Sequence, residues 1–167
     1  MPNSNAENFY ILLHLGDGAF GRAYLASTGT AVCVLKCPLG SLQCDFRNEA
    51  LLWQQIWEIK QVRVTKLVNE EVLILPYLKM CTGGIEVQTD EVKEAVKEAV
   101  NLMVSKGYQH EECYWRHVGL CWHSNKLKAI FIDLGNVKKI DQQDSRAVAT
   151  ARKTMLTELG LLQTAAV

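Results

Sequence analysis

Apolar residues in the first third of the chain come in short runs broken by turn-forming residues. Tyr10–Leu15 stops at glycines, Ala23–Ala26 follows them, and Ala31–Lys36 alternates with β-branched residues after the turn Ser27-Thr28-Gly29-Thr30. This pattern predicts three antiparallel strands. From Asp45 to Lys60 the spacing changes, with Phe46, Ala50, Trp53, Ile56 and Trp57 recurring at helical intervals behind a cap at Ser41 or Asp45. A helix therefore follows the third strand. Val62–Val68 and Val72–Leu75 are β-branched again, joined through Asn69-Glu70-Glu71 and closed by Pro76, which has no N–H for a central strand to use.

Gly83-Gly84 and the polar residues up to Thr89 read as a linker. Beyond it, Val92, Ala95, Val96, Ala99, Val100 and Met103 lie on one stripe closed by Gly107, which predicts an amphipathic helix over Asp90–Lys106. Gly119–His123 and Ala129–Asp133 are strand candidates joined by Ser124-Asn125-Lys126, and Ser145–Leu159 has a helical pattern. The expected class is α+β, with a strand-rich half followed by a helix-rich half and a cleft near the linker. The expected organisation is one domain over 1–167, divided into parts at about 8–78, 79–89 and 90–167.

Charge adds mainly an exclusion. Lys plus Arg equals Asp plus Glu at 18 each, so no broad electrostatic grip on nucleic acid or anionic membrane is expected. Six cysteines without CxxC pairs, in a chain large enough to build its own core, favour a reducing, intracellular setting. The polar start and the lack of an 18-residue apolar run lead us to expect neither secretion nor a membrane span. Trp53, Trp57, Trp115 and Trp122 are expected as core or lobe-contact residues, because no basic stripe accompanies them.

Candidate chemistry begins at Gly16-Asp17-Gly18-Ala19-Phe20-Gly21, a glycine turn between two strands whose bare N–H groups can approach phosphates. A dinucleotide-binding fold would need a helix directly after this turn, and no GxxxxGK[ST] loop is present. An ordinary hairpin could carry the same glycines. The loop is followed, however, by Ala23-Tyr24-Leu25-Ala26, a turn, and Val32-Cys33-Val34-Leu35-Lys36, and then by Arg47-Asn48-Glu49-Ala50 on the next helix. In this order the chain resembles the N-lobe of a protein kinase. The resemblance implies that Lys36 meets the phosphates of ATP and pairs with Glu49, under a loop carrying Gly16, Gly18 and Gly21. Leu73–Leu78 is similar to the fifth strand and hinge, which implies that backbone around Tyr77 and Leu78 meets the adenine edge.

Farther on, Ile130-Phe131-Ile132-Asp133-Leu134-Gly135 resembles the DFG segment and implies that Asp133 holds Mg²⁺ or Mn²⁺. His110–Leu120 aligns without gaps to the kinase catalytic loop. His110 keeps the first position, Glu112 stands at the catalytic aspartate, Tyr114 at the following lysine and His117 at the asparagine that holds a second metal. The stretch Tyr114–Leu120 is similar to the kinase-like domains of crinkler-type effectors. The resemblance covers about Tyr10 to Ile140, and only 34 residues follow Asp133, too few for a long activation segment.

The implied fold is a two-lobe kinase-like one, with a five-stranded N-lobe and a minimal helical C-lobe. The implied activity is transfer of the γ-phosphate of ATP to a Ser/Thr hydroxyl of a protein or of the chain itself, with Ser4, Ser27, Thr28 and Ser145 as candidate acceptors. The alternative is a pseudokinase acting as a nucleotide-binding or scaffolding module for a protein partner. A third reading is a zinc-stabilised interaction module built on Cys113, His117, Cys121 and His123.

Overall fold

The computed structural model describes residues 8–18, 21–40, 45–84 and 89–162. The chain separates into two compact units. One runs up to Gln54 and resumes over Ile59–Tyr77, and the other takes Gln55–Glu58 and everything from Leu78 onward.

In the first unit, β1 (Tyr10–Gly18), β2 (Gly21–Ser27), β3 (Val32–Cys37), β4 (Arg63–Leu67) and β5 (Glu70–Pro76) form one antiparallel sheet in the order β1-β2-β3-β5-β4. Helix α1 (Phe46–Trp57) enters between β3 and β4. Of the two expected caps, Asp45 does the work, its Oδ1 accepting the Asn48 N–H at 2.9 Å; Ser41 lies outside the described residues. The inward face of α1 buries Phe46, Ala50, Leu52, Trp53 and Ile56, which is the helical spacing seen in the sequence. Ala26, Cys33, Leu35 and Ile74 form a buried cluster within the sheet, with Phe9, Cys37 and Leu67 packed against it. Pro76 ends β5 opposite Cys33, where a missing N–H breaks no further ladder bond.

Two elements of this unit differ from the expected boundaries. β1 runs through Gly16 and Gly18 instead of ending at Leu15, so the first half of the glycine turn is strand; Ala19 and Phe20 lie outside the described residues. The β4–β5 connection is the two-residue turn Val68-Asn69, with Glu70 and Glu71 inside β5. Val68 sits there at φ +58° and is 97% exposed, a conformation its β-branched side chain strains and no packing repays. Val68→Asn is expected to raise stability by about 1 kcal/mol, read as a higher urea midpoint with an unchanged slope.

The second unit is less helical than expected. Helices α2 (Asp90–Ser105) and α3 (Ser145–Glu158) are present, yet five strands accompany them: β6 (Lys79–Met80), β7 (Tyr108–His110), β8 (Val118–His123), β9 (Lys126–Phe131) and β10 (Val137–Lys139). They build a three-stranded sheet β6-β8-β9 and a two-stranded sheet β10-β7. Lys79 and Met80, expected in the linker, are thus a strand paired with Leu120 and Gly119. Thr89 caps α2 by accepting the Val92 N–H, and the expected apolar stripe is buried. Asp144 caps α3 by accepting the N–H groups of Arg146 and Ala147. Ser124 and Asn125 join β8 to β9 with φ of +50° and +60°, the paired left-handed residues that a tight hairpin favours. The class is α+β, with a five-stranded antiparallel sheet and three α-helices among the described residues. No described helix is long and apolar enough to cross a membrane.

Candidate functional site

In the first unit, β3 and α1 bring Lys36 and Glu49 together. Lys36 Nζ donates to Glu49 Oε1 at 3.1 Å and to Oε2 at 2.9 Å, and the two side chains are only 11% and 5% exposed. Both carboxylate oxygens are engaged by one ammonium, a geometry that offsets part of the desolvation each charge suffers. Gly21 lies beside this lysine: Ala23 pairs with Lys36 across the β2–β3 ladder. A Cβ on Gly21 would stand 2.4 Å from the Cys37 carbonyl oxygen and 3.5 Å from Lys36 Cγ.

The three loop glycines therefore differ in kind. Gly21, at φ +136°, is demanded by the sheet itself; Gly16, at φ +151°, has a backbone that favours glycine but open space around it. Gly18 has neither constraint, since a Cβ there would meet nothing closer than the Gly21 carbonyl oxygen at 3.9 Å. Next to it, Asp17 accepts Arg22 Nε at 2.9 Å and the His14 ring at 2.8 Å, and the Arg22 guanidinium first, then His14, hold its carboxyl below the usual carboxylate range. Tyr77 is 56% exposed just after β5, and Leu78 is buried in the second unit.

In the second unit, the loop after β7 and the segment after β9 are joined through two histidine rings. His110 is fully buried, its Nε2–H donates to the Ile132 carbonyl at 2.9 Å, and its Nδ1 accepts the Glu112 N–H at 3.1 Å. These partners fix one neutral tautomer. His117, 5.6 Å away between ring centroids, takes the opposite tautomer: Nδ1–H donates to the Glu112 carbonyl at 2.8 Å and Nε2 accepts Arg116 Nε at 3.3 Å. The His117 carbonyl in turn accepts the Ile132 N–H at 2.8 Å. Asp133 follows in the left-handed region, φ +60° and ψ +49°, a conformation costing roughly 1–3 kcal/mol for a non-glycine residue and concentrated at functional sites.

Burial, opposed by the Ile132 carbonyl bond, pushes the His110 pKa below its ordinary 6.5. The unfolded chain then binds a proton near pH 6.5 that the folded chain resists, so stability is full above that pH and is lost as pH falls through the lowered folded-state value. Denaturation midpoints should fall as pH drops below 6.5, and His110→Asn should flatten that dependence.

Chemically, Asp133 offers a hard carboxylate oxygen of the kind that shares Mg²⁺ with phosphate oxygens and water. His117, expected at a metal position, has both ring nitrogens engaged, one of them by a guanidinium, and so presents no lone pair to a cation. The Glu112 backbone is tied to both histidines, while its half-buried side chain takes none of those bonds. Tyr114, at the lysine position, lies beneath Arg116, whose Cζ is 4.5 Å from the ring centroid. Among the described residues no three His, Cys, Asp or Glu side chains gather as a metal site; the zinc reading loses its basis because Cys113 is buried near Glu158 while His123 is exposed at the end of β8.

Two contributors to this loop escape a reading by spacing. Glu158 Oε2, at the end of α3, accepts the Cys113 N–H at 3.2 Å. Trp115 Nε1 donates to the Leu159 carbonyl at 3.0 Å. Trp53 is fully buried, as expected of a core residue, whereas Trp122 is 66% exposed on the β8–β9 hairpin.

Comparison with known families gives one match: residues 14–121 fit a family of unknown function, DUF5898. The match spans more than half of the chain, which belongs to that family. No curated protein matches it.

Proposed function

We propose that this member of DUF5898 is a kinase-like ATP-binding domain, in which Lys36, oriented by Glu49, contacts the phosphates and Asp133 holds the accompanying metal. The observation that carries this reading is the buried Lys36–Glu49 pair. Two apolar residues of similar size would serve stability there as well or better, so retention of a desolvated cation fits a lysine kept for binding an anion. The left-handed Asp133, at the end of a segment fixed by two histidines, adds support: its backbone strain is compensated by Ile132 being bonded on both its N–H and its C=O. ATP with Mg²⁺ or Mn²⁺ would supply the transferable phosphoryl group and the charge neutralisation that such transfer needs. Glu112 would orient the acceptor hydroxyl, and Gly18 would let the β1–β2 turn approach the phosphates.

A second reading, nucleotide binding without efficient transfer, is favoured by one observation: His117 spends both ring nitrogens on the loop, which leaves Asp133 as the metal carboxylate without help from that position. In either reading the setting is intracellular and the partner is a protein.

The test is thermal unfolding with ATP and Mg²⁺ or Mn²⁺. Ligand at about a hundred times its Kd should stabilise the protein by about 2.7 kcal/mol. Gly18→Ala should leave the unliganded midpoint unchanged and reduce the shift. Asp133→Asn, which tolerates the left-handed backbone, should remove its metal-dependent part. No shift in the wild type at millimolar ATP would sink the proposal. A shift without label transfer from γ-labelled ATP would select the second reading.

A further inference from the structure

In the second unit an open groove of about 530 Å³ runs beside α3 and uses none of the residues assigned above to ATP. Gln142 and Gln143 line its start, and Leu162 lines its end. Hydrogen bonds hold both. Gln142 Nε2 donates to the Ser105 carbonyl at 3.1 Å. Gly160, at φ +67°, turns the chain back so that the N–H groups of Leu161 and Leu162 donate to the Leu156 carbonyl at 2.8 and 3.3 Å. The apolar lining between these ends comes from Val148, Ala149 and Leu156, with Leu162 standing 39% exposed at the edge. Arg152 and Lys153 bring charge to the groove, and its described lining contains no carboxylate.

These two cations are unbalanced within the fold. On α2, Lys97 donates to Glu94 at 2.6 Å and Lys93 lies 4.0 Å from Asp90, so that helix compensates its own exposed charge. On α3 the residues three and four positions from Arg152 and Lys153 are Val148, Ala149, Thr150, Met155, Leu156 and Thr157, none of them acidic. Among the described residues neither cation has an ion-pair partner. Arg146, outside the groove, adds a third cation in the first turn, where the helix dipole disfavours it. Glu158, the single carboxylate of the helix, already accepts the Cys113 N–H.

We infer that this groove docks an acidic segment of a partner protein, with apolar side chains against Leu156 and Leu162 and carboxylates facing Arg152 and Lys153. Charge complementarity selects the occupant: an acidic segment supplies the counter-charge that α3 lacks, whereas a basic one meets repulsion. The apolar lining offers contact area that a bare phosphate chain cannot use, and the described lining holds no aromatic ring on which a base could stack. A lipid surface takes up a protruding apolar face, while here Val148 is half-buried and Leu156 is buried within a concavity. The volume falls within the range of side-chain and ligand pockets. The 14 residues of α3 give a wall of about 21 Å, long enough for a short segment to lie along it.

The test uses a short fluorescein-labelled peptide of alternating glutamate and leucine, with matched peptides carrying lysine for glutamate or serine for leucine. Anisotropy titrations compare the wild type with Leu162→Ser, with Arg152→Gln/Lys153→Gln and with Ala149→Glu, all at exposed positions. The last variant sets a carboxylate four residues before Lys153, so it should engage the cations from within the helix while leaving the melting midpoint equal or higher. Saturable binding of the glutamate-leucine peptide by the wild type, weakened about tenfold or more by each variant and by each matched peptide, is the expected result. The charge-neutralised variant should also lose most of the salt dependence. No saturable binding by the wild type, or equal binding by the variants or of the lysine peptide, would overturn the inference. So would equal binding of a short oligothymidylate or of phosphatidylserine vesicles, which would make the cations a general anion contact, or a wild-type dimer dissolved by Leu162→Ser, which would make the occupant a second copy. Because no arm contains ATP, failure here leaves the nucleotide reading standing, and failure of that reading leaves this one standing.

Discussion

Lys36→Met alone is expected to lower stability by about 3–5 kcal/mol, because it strips this cation from a carboxylate that is only 5% exposed. The double variant Lys36→Met/Glu49→Leu is expected to recover most of that loss, since it removes both desolvated charges and fills the space with apolar atoms. Urea unfolding measures both, provided the slope stays constant so that midpoints report stability. The pair of variants also separates two reasons for keeping the ion pair. If Lys36 serves binding, the double variant will fold and yet show no stabilisation by ATP. A double variant that folds and keeps the full ATP response would assign Lys36 to architecture and remove the main support for a phosphate contact.

Gly21→Ala should cost about 3–5 kcal/mol, for two reasons that add. The φ of +136° is closed to an L side chain, and the new Cβ would sit 2.4 Å from the Cys37 carbonyl oxygen, a backbone atom that cannot move without disturbing β3. Strain of this kind and overpacking of this kind each cost about 1–3 kcal/mol. Gly18→Ala should cost almost nothing. The contrast matters because three glycines in one turn invite a single explanation, whereas only Gly18 is a glycine for which the sheet gives no reason. A melt of the two variants, with no nucleotide present, checks this; if Gly18→Ala destabilises as much as Gly21→Ala, the turn is a structural hairpin throughout.

The parts of the fold legible in the sequence are those with local periodicity. The stripe Val92 to Met103 reads as α2 because every member faces the same core, and the runs around β2, β3, β8 and β9 carry their own turn residues. β6, β7 and β10 were not legible: strands of two or three residues hold no period, and their pairing is chosen by distant segments such as Gly119 with Met80 or His110 with Val137. This is why a half expected to be helical contains two small sheets. At the site, the Lys36–Glu49 juxtaposition was legible through the order of motifs rather than through spacing, since 13 residues separate the two. Arg116 and Glu158 were illegible, because one fills a histidine lone pair and the other a backbone N–H, bonds that leave no trace in hydrophobic pattern. Trp122 shows the opposite failure, a large apolar side chain whose type suggests a core position that its hairpin does not supply.

The bonds from the end of α3 to the loop around Cys113 and Trp115 span 45 and 44 residues. During synthesis, therefore, the strands of all three sheets are available to pair before the loop acquires its final anchors, which arrive with Glu158 and Leu159. Nascent chains halted before those residues should already protect β-sheet amides from exchange while leaving the Cys113 N–H open. The order of assembly is thus written into the sequence: sheets first, the anchors of the Cys113–Trp115 loop last.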